Sequence, residues 1–215
     1  MKRILVINPN SNQHVTDGLA ASLEPLNIAG RAEIECMTLS DGPFGIETRH
    51  DMESVVLPLR QTVLNRDDAD AYVIACYSDP GLALCREATR KPVFGIQESG
   101  LFAALQRGQR VGVVALGPKS IARHLPYIRS LGLYDRLAAE RPLNMSVEES
   151  EQPEAFPRIE AVARDLVERD YADTVLLGCA GMAAHCKPLE AAIGVPVTDP
   201  TQAATAQALA AVLLD

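Results

Sequence analysis

The sequence predicts an α/β protein built from two similar parallel-sheet domains, related by a pseudo-twofold axis with a cleft between them. Two observations predict it. Short apolar runs of strand length alternate with helix-like segments along the whole chain. They are RILVIN (3–8), AEIECMTL (32–39), AYVIAC (71–76) and PVFGI (92–96), then RVGVVAL (110–116), ADTVLLGC (172–179) and PVTDP (196–200). Such β-α-β alternation gives parallel strands with helices on both faces. The pattern also repeats. ADAYVIAC (69–76) aligns with ADTVLLGC (172–179) at an offset of 103 residues, and KPVFGI (91–96) with VPVTDP (195–200) at 104. A period of about a hundred residues is too large for a solenoid unit and fits a duplicated domain.

The elements between the strands follow in order. The turn Pro9-Asn10-Ser11-Asn12 leads into a helix beginning near Gln13, and DGPFG (41–45) is a loop. Residues 47–65 read as one long helix with Val55, Val56, Leu59, Val63 and Leu64 on one side. Residues 79–89 read as a helix with Pro80 in its first turn, where proline is tolerated. In the second half, GPKS (117–120) is a turn before a helix over about 120–131, and AGMAAHCKPLEAA (180–192) is a helix. The charged, proline-bearing stretch 140–160 reads as an irregular connection. The terminal segment, TQAATAQALAAVLLD (201–215), is a strong helix former expected to pack back on the first domain. The expected division is therefore 1–97 plus 200–215 for the first domain and 98–199 for the second.

The chain has 215 residues, 47% hydrophobic and 22% charged, so a sizeable core is expected. A formal net charge of −8 disfavours nucleic acid and anionic membranes as partners. No apolar run approaches the roughly 18 residues of a membrane span. The N-terminal MKRILVINPN enters a strand-length apolar segment instead of the longer one that a signal peptide needs, so a cytoplasmic location is expected. Five cysteines, an odd number with no C-x-x-C pair, argue against a disulfide framework, and the four histidines show no zinc-ligand spacing, so no metal site is expected.

Open α/β sheets bind ligands at the carboxyl ends of their strands. Four polar stretches sit there: Asn8-Pro9-Asn10-Ser11, Cys76-Tyr77-Ser78-Asp79, Gly117-Pro118-Lys119-Ser120 and Cys179-Ala180-Gly181. Cys76 and Cys179 occupy equivalent places in the repeat, each ending a strand ahead of a helix N-terminus. Free amides and the helix dipole there are expected to lower a thiol pKa. A single cysteine in such a place is ordinarily a small core residue. Two facing each other across a cleft suit one reaction: one thiolate removes a proton from a carbon acid, and the opposing thiol returns one on the other face. The stereocentre inverts, with backbone amides stabilising the enolate-like charge and no cofactor required. The small Ala180 and Gly181 let the backbone approach a ligand. Cys36, Cys85 and Cys186 read as packing. The stretch GVVALGPKS (112–120) fails as a phosphate loop, because Pro118 separates Gly117 from Lys119 and residues 112–116 are strand. Gly117 and Pro118 still border the cleft, and the N–H groups of this stretch, which Pro118 lacks, are expected to donate to an anionic or carbonyl oxygen. Ser78 reads equally as a helix cap or a ligand contact, and Asp79 as a cap.

The stretches INPNSN (7–12), GPFGIETRHDMES (42–54), ACYSDPGLALCREATRKPVFGIQES (75–99), RVGVVALG (110–117) and LLGCAGM (176–182) resemble the aspartate/glutamate/hydantoin racemase superfamily, most of all its hydantoin and allantoin racemase branch. The resemblance spans almost the whole chain. It implies two Rossmann-like domains, cofactor-independent racemisation by Cys76 and Cys179, and a homo-oligomer acting on a small molecule. It places Asn8, Ile46, Ser78 and Gly117 among the residues that line the substrate ring or hold its carbonyl oxygens. Tyr77-Ser78 stands where an aromatic followed by glycine is frequent, and ETRHD (47–51) also departs from the pattern. Lys119 is the only basic residue in the four strand-end stretches, which leans toward a neutral five-membered ring: a 5-substituted hydantoin, with allantoin as one candidate. The alternatives are an aspartate or glutamate racemase, a decarboxylase or cis-trans isomerase on the same scaffold, and a two-lobed ligand-binding module.

Overall fold

In the first strand, β1 (Lys2–Asn8), Ile4 and Val6 enter one apolar cluster while Leu5 and Ile7 enter another. The same split recurs in β3 (Ala71–Ile74), where Ala71 and Val73 face one cluster and Tyr72 and Ile74 the other. Side chains alternate across a strand, so a run apolar at every position needs a covered layer on each face. The computed structural model, which describes residues 1–214, supplies those layers.

Two four-stranded parallel sheets result. The first runs β2-β1-β3-β4, with β2 (Ala32–Thr38) and β4 (Val93–Gly95) at its edges. The second, of β5 (Val111–Ala115), β6 (Leu137–Pro142), β7 (Thr174–Gly178) and β8 (Val197–Thr198), runs β6-β5-β7-β8. Numbered within each half, both orders are 2-1-3-4, so the repeat in the sequence is a repeat of topology. The registers agree: Ala71 pairs with Ile4, and Thr174, 103 residues later, pairs with Val111.

The stretch 140–160 is more ordered than its composition suggests. Glu140, Arg141 and Pro142 complete β6 beside Val113, Val114 and Ala115. As an edge strand β6 has one ladder neighbour, so a terminal proline is tolerated, and the carboxylate of Glu140 is buried against His124. A short helix α7 (Val147–Glu151) follows, started by a reciprocal cap between Ser146 and Glu149. A longer helix, α8 (Phe156–Glu168), leads to β7.

The helix expected near Gln13 is α1 (Gln13–Leu23), and the expected helix 47–65 is two helices, α2 (Arg49–Ser54) and α3 (Val56–Asn65), separated at Val55. Pro58 has no N–H to donate to residue 54, which breaks the ladder there. The helix expected at residue 79 starts later, as α4 (Leu82–Ala88), because Asp79 (φ 45°) and Gly81 (φ 65°) adopt left-handed turn geometry around Pro80. After β7 a 3-10 segment (Ala180–His185) precedes the α-helix α9 (Cys186–Ile193).

Helix α5 (Ile96–Leu105) leaves β4 and also contacts β7 and β8 of the second sheet. The last helix, α10 (Pro200–Leu214), returns over β1, β3 and β4 and packs along α5. One apolar cluster therefore runs from Ile4 and Val73 through Leu101 and Ala208 to Val113 and Leu176. The lobes share a core on this side, which fixes their strand ends relative to one another. Among the described residues, no helix is long and apolar enough to cross a membrane.

Candidate active site

The carboxyl ends of β3 and β7 meet at one cavity, and the two strand-end cysteines line it. After β3 the chain folds tightly over Cys76, whose carbonyl accepts from the amides of Ser78 (2.8 Å) and Asp79 (3.0 Å). After β7, Cys179 keeps extended geometry (φ −155°) before the 3-10 turn of Ala180 and Gly181 begins. Ile46, from the loop after β2, closes one side of the cavity, and Ser78, Ala180 and Gly181 also line it. The cavity is small and only partly closed.

The structure does not bring Asn8, Gly117 or Pro118 to this cavity. Asn8 is fully buried, and its amide nitrogen donates to Asn10 Oδ1 (2.9 Å), the Asn12 carbonyl (3.1 Å) and Thr16 Oγ1 (3.0 Å). It shapes the 8–12 turn, while Asn10 reaches the cavity wall. Gly117 and Pro118 form the start of α6 (Pro118–Ser130) and face a neighbouring hollow with Glu47 and Met145.

The helix α6 carries what the sequence reading passed over. Ser120, Arg123 and His124 line the cavity at i, i+3 and i+4, positions that share one face of a helix. Three polar residues at that spacing, just after a strand end, are the signal that could have found them. The strand ends are thus not poor in cations, because Arg123 brings a guanidinium from the following helix. Its Nη1 donates to the carbonyls of Glu47 (2.7 Å) and Lys119 (3.2 Å), and its Nη2 to Ser120 Oγ (3.3 Å). The Glu47 contact joins the second lobe to the first. His124 Nδ1 lies 3.0 Å from Glu140 Oε2, with the two side chains 1% and 0% exposed. The ring of Tyr77 meets the His124 imidazole edge-on at 4.8 Å. Burial, reinforced by the charges of Glu140 and Asp79, holds the Tyr77 hydroxyl far above its ordinary value, so it remains a donor.

The thiols themselves depart from the expectation of lowered pKa values. Burial pushes Cys76 well up, and negative charge on Cys179 pushes it further, while Arg123 acts in the opposite direction. Burial pushes Cys179 up to about 11, the Gly181 amide opposing and Glu151 adding to the rise. Desolvation therefore outweighs the amides. Cys36, Cys85 and Cys186 are also raised by burial, so titration does not single out the pair; position does. Cys85 is wholly within the first lobe's core, and Cys186 directs its sulfur at the Val197 carbonyl (3.5 Å).

Asp79 is a cap, but of a different helix from the one expected. Its carboxylate accepts from the amides of Gln97 (2.8 Å) and Glu98 (3.0 Å), the first turn of α5. In the second half Asp199 caps α10 directly, accepting from the Gln202 amide at 2.7 Å. Among the described residues, no three His, Cys, Asp or Glu side chains cluster as metal ligands.

Residues 4–208 match the family described as Asp/Glu/Hydantoin racemase. The hydantoin racemase of Paenarthrobacter aurescens is 34% identical over 94% of this chain and 87% of its own. Among solved structures, the allantoin racemase from Klebsiella pneumoniae superposes with a TM-score of 0.94 at 26% identity, over 100% of this chain and 89% of that one. The allantoin racemase from Pseudomonas fluorescens gives 0.93 at 29% identity, over 99% and 91%. Matched over nearly its whole length in sequence and in fold, the chain belongs to the Asp/Glu/hydantoin racemase family and is an isomerase.

Proposed function

We propose that the protein racemises a 5-substituted hydantoin, with Cys76 and Cys179 as opposed acid and base. The observation that carries the reading is that two repeat-equivalent strand-end cysteines line one cavity. Allantoin is itself a hydantoin with a ureido group at C5, so the relatives named above share one substrate chemistry.

The site suits the reaction in three respects. A C5 proton is weakly acidic, and a thiolate whose pKa is raised by burial is a correspondingly stronger base. Negative charge on one cysteine disfavours charge on the other, so the doubly ionised pair is excluded, and once one thiol has ionised its partner stays protonated as the acid. One base and one acid on opposite faces is the pairing that inversion needs. As the proton leaves, charge grows on the ring carbonyl oxygen, and hydrogen-bond donors at that oxygen lower the barrier. The scheme calls on no cofactor.

The test is turnover of an enantiopure 5-substituted hydantoin in deuterium oxide, followed by circular dichroism and proton NMR. Deuterium should enter C5 as optical activity decays. Cys76→Ser and Cys179→Ser should each slow racemisation by about 10²-fold or more. Wild-type racemisation by either variant overturns the mechanism. Release of carbon dioxide or a rearranged double bond from other substrates would instead identify a lyase or a cis-trans isomerase.

A further inference from the structure

Buried arginines ordinarily pair with a carboxylate, because an uncompensated buried charge is costly. Arg123 does not. It is 9% exposed, and every acceptor of its guanidinium is a backbone carbonyl or the Ser120 hydroxyl. Its Nε–H is buried without a partner. Among the described residues Arg123 forms no ion pair, and it is the only arginine or lysine lining the cavity. The side chain is fixed from both lobes, by Glu47 of the first and by Lys119 and Ser120 of its own helix. A rigid cation has thus been placed beside two thiols with no permanent counter-charge bonded to it.

We propose that Arg123 is a positioning residue for Cys76: the Cys76 thiolate is the missing counter-ion of the guanidinium, and the clasp on Glu47 holds the charge in place. Three groups face the Cys76 sulfur electrostatically: Cys179 across the cavity and Asp79 in its own turn both oppose ionisation, and Arg123 from α6 favours it. Around Arg123 the other charges are those of Asp51, Arg49 and Glu47. Without the guanidinium, only the Ser78 amide is left to favour the thiolate, against burial, Cys179 and Asp79. Arg123 therefore eases ionisation of Cys76 against the burial and the negative neighbours that oppose it.

The proposal rests on the racemase reading only for its effect on turnover, so it is tested by a readout independent of turnover. Iodoacetamide alkylation at Cys76 is followed by peptide mass spectrometry across a pH series. The wild type is compared with Arg123→Met, Arg123→Gln and Arg123→Lys, each checked for folding by circular dichroism. Loss of the charge should move the Cys76 alkylation profile upward by about one pH unit or more, roughly a tenfold slower reaction at fixed pH. Arg123→Lys, which keeps the charge and loses the fork, should recover most of the rate. Arg123→Gln keeps a donor for the Glu47 carbonyl, so it serves if the methionine variant does not fold. An unmoved profile in the neutral variants overturns the proposal, as does equal slowing in the lysine variant, which would reduce Arg123 to a clasp. A shifted profile in a protein whose wild type racemises no hydantoin would leave the pairing standing and remove the racemase reading.

Discussion

Gly95→Ala should be far more disruptive than a single methyl group suggests. A Cβ on Gly95 would lie 2.6 Å from Asp79 Oδ1 and closer still to the rest of that carboxylate. The carboxylate cannot simply retreat, since it caps α5 through Gln97 and Glu98 and its own residue sits at φ 45°. Overpacking costs about 1–3 kcal/mol, and loss of the cap adds about 1 kcal/mol, so we expect a loss of about 3 kcal/mol. The assay is a double-mutant cycle by urea unfolding with Asp79→Gly, a residue that accepts the left-handed backbone. Asp79→Gly alone should cost about 1–3 kcal/mol, because it leaves buried amides unpaired. In that background Gly95→Ala should cost almost nothing, giving a coupling of about 3 kcal/mol. An equal cost of Gly95→Ala in both backgrounds would refute the reasoning, and with it the account of why glycine stands at the end of β4.

Two further outcomes follow from buried carboxylates. Burial raises Asp199 to about 6, against the amides of Gln202 and Thr201. A carboxyl raised on folding contributes stability that is present below its unfolded pKa and lost as pH climbs through the folded one. Wild type should therefore lose up to about 3 kcal/mol relative to Asp199→Asn between pH 4 and 7, read by urea unfolding; parallel curves would refute the shift. Glu140→Ala leaves the His124 imidazole buried without its partner, and should lower unfolding free energy by about 2–4 kcal/mol in the same assay.

The fold was legible because it is written in local signals twice over. The apolar runs and the alignment of 69–76 with 172–179 depend on neighbours in sequence, and the sheets follow from them. β6 was not legible, because an edge strand is half solvated and LAAERP carries neither an apolar run nor clean alternation. The cysteine pair was found from the repeat. Arg123 and His124 are not legible from the strand ends, because a helix starting there presents a second row of side chains one turn further on. Asn8 also stands at a strand end, and its amide nitrogen is engaged with the turn it organises.

The scaffold is symmetric and its charges are not. Cys76 faces Arg123, whereas Cys179 has Glu151 and Asp199 nearby. In the proposed reaction each cysteine is the base for one enantiomer, so the two directions use unequal thiols. Yet the two enantiomers have equal free energy in solution, so kcat/KM must be identical in both directions at every pH. The asymmetry can therefore surface only in kcat and KM separately, each shifted by the same factor. It surfaces again in single-cysteine variants, where the surviving base should exchange the C5 proton of one enantiomer without inverting it. Cys76→Ser and Cys179→Ser should wash out opposite enantiomers in deuterium oxide. If both variants exchange the same enantiomer, the two thiols do not stand on opposite faces of the ring, and the symmetry of the fold does not extend to the chemistry.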